Sequence, residues 1–78
     1  MKATKTTKTP RNLCPAFPYD HDLLRAVVQA AREINPDVKG LTHVTNTHAV
    51  LQAPGDRTYY LVEVTPTQAQ DLGYISMR

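Results

Sequence analysis

Thr58–Thr65, TYYLVEVT, is the stretch on which the fold turns. Its residues are almost all β-branched or aromatic, and Tyr60, Val62 and Val64 alternate with Tyr59, Leu61 and Glu63, the period-two pattern of a strand with one buried face. Just before it stands Ala53-Pro54-Gly55-Asp56. Proline in second place fixes φ and glycine in third accepts a positive φ, which together specify a type II turn. Such a turn would join TYYLVEVT antiparallel to Leu41–Ala53, a run rich in Thr and Val. A strand of that length is long for a small sheet, so Asn46 is expected to mark a bulge or bend.

Outward from the hairpin, the flanks read as helix. Upstream, Asp20 or Asp22 can accept hydrogen bonds from the free N–H groups of a helix start. Leu23, Leu24, Val27, Val28, Ala31 and Ile34 then recur at helical spacing, with Arg25, Gln29, Arg32 and Glu33 on the far side. Asn35-Pro36 stops the helix, because the residue before a proline avoids the α region. Downstream, Thr65-Pro66-Thr67-Gln68 is a capping box with proline at the first helical position, and Gly73 stands where a left-handed C-terminal residue is wanted. A short helix over 66–72 follows, with Tyr74–Met77 as a third, edge strand. The expected fold class is α+β: one small domain with a helix packed on an antiparallel hairpin, a short second helix and a disordered N-terminal arm. Val27, Val28 and Ala31 should be buried against Tyr60, Val62 and Val64.

The chain has 78 residues, 41% hydrophobic and 21% charged, with one Phe, four Tyr and no Trp. A chain of this mass buries only about 62% of its extended surface, so the core is thin. The single cysteine, Cys14, cannot make an internal disulfide, which favours a reducing cytoplasm. No apolar run approaches the ~18 residues of a membrane span, and the basic N-terminus leads into Thr and Lys instead of the apolar core of a secretory signal.

The net charge of +2 conceals an asymmetry. Residues 1–11, MKATKTTKTPR, hold Lys2, Lys5, Lys8 and Arg11 and no acid; the domain proper, residues 12–78, sums to −2. With four threonines and nothing apolar beyond Met1 and Ala3, the arm should be disordered alone. As polyproline II its four cations would line one face. It reads either as a solubilising tail or as an arm for an anionic partner such as nucleic acid. The mildly acidic body is unsuited to gripping a phosphate backbone.

Asn12–Tyr19, NLCPAFPY, has two prolines among Leu13, Cys14, Phe17 and Tyr19 and reads as an extended strap whose apolar side chains fold back over the core. Nothing near Cys14 would lower its pKa to make a nucleophile. His43 and His48, five apart on one strand, would lie on opposite faces, a poor metal site. Asp20-His21-Asp22 is explained by capping. There is no Gly-rich phosphate loop, no CxxC pair and no nucleophile elbow. No catalytic residue, metal or cofactor is therefore expected, and the chain is read as a non-enzyme.

Two function classes remain: a protein-binding module, and a nucleic-acid binder working through its arm. Tyr59 and Tyr60 point to opposite faces of their strand, so one of them faces outward beside an open sheet edge, which suits an interface. The arm lacks the aromatic residues that stack bases. Protein binding is favoured, with Lys2, Lys5, Lys8 and Arg11 on the arm, Tyr59 on the sheet, and Arg25 and Arg32 on the exposed helix face as the residues expected to carry contacts.

The brief length, the lone Cys14, the arm MKATKTTKTPR and one helix LLRAVVQAAREI with one hairpin give a size and make-up that resembles the short proteins bacteriophages encode to regulate host machinery, especially those that bind bacterial RNA polymerase. The resemblance implies a non-catalytic regulator whose body docks on a host protein complex such as RNA polymerase while the arm lies near nucleic acid.

Overall fold

The computed structural model describes residues 2–75. The strand read from TYYLVEVT is β5, Tyr59–Glu63, and the others are β1 (Ala3–Thr6), β2 (Cys14–Pro15), β3 (Gly40–Val44) and β4 (His48–Gln52); the helices are α1 (His21–Arg32) and α2 (Pro66–Asp71). The five strands form one antiparallel sheet in the order β1-β5-β4-β3-β2. The α+β class is as expected. Ala53-Pro54-Gly55-Asp56 makes the turn into β5, with Gly55 at φ 73° and the Asp56 N–H donating to the Ala53 carbonyl at 3.2 Å.

Both helix starts follow their sequence signals. The Asp20 carboxylate accepts from the backbone N–H groups of Asp22 and Leu23, each at 3.1 Å. Thr65 and Gln68 exchange side-chain to backbone bonds in a complete capping box. Helix α1 packs on one face of the sheet. Val27, Ala30 and Ala31 are buried there with Val44, Ala49, Leu51, Tyr60 and Val62, while Val28 and Val64 pack at the margin. Ile34, assigned to the apolar stripe, is exposed because α1 ends at Arg32 and the chain turns away.

Four expectations need correction. Leu41–Ala53 is not one bent strand but two: the chain reverses fully at Asn46, making β3–β4 a hairpin. The Thr45 hydroxyl accepts from the N–H groups of Thr47 and His48, at 3.3 and 3.0 Å, a side-chain-stabilised turn that needs neither Gly nor Pro. His43 and His48 consequently share the sheet face away from α1, since they pair with Val50 and Glu63, two residues on that face.

Within the arm, expected to be disordered over residues 1–11, residues 3–6 form a strand. Ala3–Thr6 pairs along β5 as an edge strand, and Ala3 packs against the core. An edge strand with one small inward residue has almost no hydrophobic pattern, and its threonines already favour extended backbone. Finally, Tyr74 and Ile75 are not in a strand; the rest of the expected third strand, residues 76 and 77, lies outside the described residues.

Candidate protein-docking surface

The strap over residues 12–19 lies against the end of α2, but its aromatic side chains do not cover the core. The Phe17 N–H donates to the Leu72 carbonyl at 3.0 Å and the Tyr19 N–H to the Asp71 carbonyl at 2.8 Å. In extended chain, alternate residues share a side. Ala16 and Pro18 are half-buried, whereas Phe17 and Tyr19 are 67% and 70% exposed. Their rings meet at 5.4 Å between centroids with planes inclined by 57°, a tilted aromatic pair. Ile75, 68% exposed, adds a third apolar side chain on the segment beside the strap, where its carbonyl accepts from the Cys14 thiol at 3.5 Å.

Gly73 explains why the strap sits as it does. Its φ of 100° ends α2 in the left-handed region, and a Cβ there would meet the Phe17 backbone, with the carbonyl oxygen at 2.8 Å and the Cα at 2.9 Å. Strap and helix end thus touch backbone to backbone, and the large side chains of Phe17 and Tyr19 are directed away. Cys14, Leu13 and Tyr74 are half-buried beneath, as the packing role expected of Cys14 requires.

The residues singled out from sequence do not converge. Lys2, Lys5, Lys8 and Arg11 are exposed, but strand geometry replaces polyproline geometry over residues 3–6, and the odd spacing of Lys2 and Lys5 sends them to opposite sides of the sheet. Tyr60 is the inward tyrosine. Tyr59 faces the other way and is half-buried, and because Thr6 pairs with it, β5 is not the open edge; β1 is. Arg25 is exposed on α1. Arg32 bends back to tie the helix exit, its Nε donating to the Val38 carbonyl at 2.7 Å and its Nη2 to the Lys39 carbonyl at 3.5 Å, which commits it to structure.

A polar clasp lies across the same end of the domain. The Tyr60 hydroxyl donates to an Asp56 carboxylate oxygen at 2.7 Å and accepts from the Asn35 amide at 2.9 Å, joining the α1 exit to the β4–β5 turn. The Thr58 backbone bond, and after it the Tyr60 hydroxyl, holds the Asp56 carboxyl below the usual carboxylate range. For Tyr60 the Asn35 amide pulls the pKa down, but the bond to Asp56, burial and the carboxylate charges of Asp56 and Asp37 together push it above its ordinary value. A depressed carboxyl stabilises fully above its unfolded pKa of about 3.9 and is lost as pH falls through its lower folded value; a raised phenol stabilises fully below about 10 and is lost as pH rises through its higher one. The melting temperature of wild type should therefore exceed that of Tyr60→Phe by a constant margin from about pH 5 to 9, narrowing at both extremes. A margin that changes between pH 6 and 8 would contradict this assignment.

Among the described residues, no three or more His, Cys, Asp and Glu gather as a metal site, and no helix is long and apolar enough to cross a membrane. No family model, no curated protein and no solved structure matches the chain.

Proposed function

We propose that this chain is a non-catalytic docking module that binds a protein partner through the surface formed by Phe17 and Tyr19. One observation carries the reading: the only phenylalanine of a chain short of large apolar side chains is two-thirds exposed, paired with an equally exposed tyrosine, on backbone held by main-chain hydrogen bonds. Spending scarce aromatic area on solvent weakens a thin core. It is useful where a partner covers those rings, since aromatic anchors in desolvated pockets supply most of the energy of a protein interface. A rigid strap also lowers the ordering cost of binding.

The partner class suggested by the likeness in size and make-up to phage regulators is a large host machine, with bacterial RNA polymerase first. Binding of nucleic acid through the arm is the competing reading, and it is weakened by the split of Lys2 and Lys5 to two sides of the sheet. The test is to immobilise the protein and apply purified bacterial RNA polymerase, and separately a nuclease-treated bacterial extract. A protein partner should be retained after nuclease and at about 0.5 M salt, where exposed charges are screened beyond roughly 4 Å while apolar contacts persist. Retention that disappears with nuclease or salt would contradict the reading.

A further inference from the structure

The outer edge of β1 offers a run of backbone to another chain, and the hydrogen-bond alternation shows which groups it offers. The Glu63 N–H donates to the Lys2 carbonyl at 3.0 Å, which makes Lys2 and Glu63 a hydrogen-bonded pair. On the other side of β5, the Val64 N–H donates to the Thr47 carbonyl at 2.9 Å. Antiparallel pairs alternate along a ladder. Leu61 and Tyr59 therefore bond to Thr4 and Thr6, while Val62 and Tyr60 turn their backbone toward β4. Ala3 and Lys5, opposite Val62 and Tyr60, turn their N–H and C=O groups outward. Among the described residues nothing pairs with them, so the edge presents two donors and two acceptors at strand spacing.

The charge around this edge selects its occupant. Lys2 and Lys5 are exposed along it, with one acid, Glu63, across the ladder from Lys2. A second copy docking β1 to β1 would set Lys2 and Lys5 against their own copies, and like charges opposed across a ladder are destabilising. A nucleic acid has no peptide backbone to satisfy the rungs at Ala3 and Lys5. We propose that the β1 edge accepts an extended, acidic segment of a partner protein as a sixth strand, with main-chain hydrogen bonds to Ala3 and Lys5 giving affinity and the cations Lys2 and Lys5 giving the preference for Asp and Glu. This surface is separate from the Phe17–Tyr19 surface and does not depend on it.

The probe is a fluorescein-labelled ten-residue peptide of alternating Glu and Val, titrated into the full chain. Binding at about 100 µM or tighter is expected, with the amides of Ala3 and Lys5 becoming protected from hydrogen exchange. N-methylating the peptide amides that face β1 should weaken binding at least about tenfold, as should Lys5→Glu, a change at an exposed position that leaves the fold alone. The variant carrying Phe17→Ser and Tyr19→Ser should bind the peptide as wild type does. No binding at about 1 mM, equal binding of the N-methylated peptide, protection confined to another part of the sheet, displacement of the peptide by oligothymidine at equal concentration, or self-association through β1 would each overturn the proposal.

Discussion

Val62→Asp should leave the chain unfolded at 25 °C. Val62 is fully buried between Ala3 on β1 and Ala49 on β4, on the face that α1 covers. Its replacement would put a carboxylate among the apolar side chains of the core. An unpaired buried carboxylate costs several kcal/mol, and a domain of this kind has about 5 kcal/mol in total to lose. The far-ultraviolet circular dichroism spectrum should show coil with no cooperative melt. A variant that still melts within a few degrees of wild type would mean that α1 does not pack over β5.

Gly73→Ala should be nearly as severe for one methyl group. The φ of 100° at this position strains any residue with a Cβ, by about 1–2 kcal/mol in the left-handed region. The added atom also lands against the Phe17 backbone, where a few tenths of an ångström of side-chain adjustment cannot relieve it. Overpacking of this kind costs about 1–3 kcal/mol more. Because the obstructing atoms are main chain, the strap must lift, breaking the bonds from Phe17 to Leu72 and from Tyr19 to Asp71. A melting temperature lower by at least about 10 °C is expected, at roughly 4–8 °C per kcal/mol for a domain of this size. An unchanged melting temperature would show that the strap is not seated on the α2 end.

Much of this architecture could be read from the residues, and the parts that could not have physical reasons. Local signals that act within a few residues were legible: Asp20 as a cap, Thr65 and Gln68 as a box, Pro54-Gly55 as the turn, and Tyr60 with Val62 as the inward face of a strand. Gly73 was legible as a helix end but not as the contact point for Phe17, because that role depends on a segment 56 positions away. Asn46 was legible as a bend but not as a full reversal, since Thr45 makes the turn with a hydroxyl and not with Gly or Pro.

The strap and the arm depart from their sequence signals for opposite reasons. Phe17 and Tyr19 are hydrophobic, and burial is the ordinary fate of such residues; only the alternation with Ala16 and Pro18 signals that both rings share one side of an extended chain. Residues 3–6 are polar, and polarity suggested disorder, whereas an edge strand needs only a partner for its backbone, which β5 supplies. Of the residues expected to make contacts, Arg32 is engaged in holding the helix exit, and Lys5 becomes part of the β1 edge.

The most direct test of the docking surface is the affinity of the double variant Phe17→Ser with Tyr19→Ser, measured by titration against purified bacterial RNA polymerase and against any protein retained from nuclease-treated extract. Both side chains are about two-thirds exposed, so the melting temperature should match that of wild type. With two aromatic anchors each worth about 2 kcal/mol or more, affinity should fall at least about 100-fold. A folded double variant that binds the same partner as tightly as wild type would contradict the account.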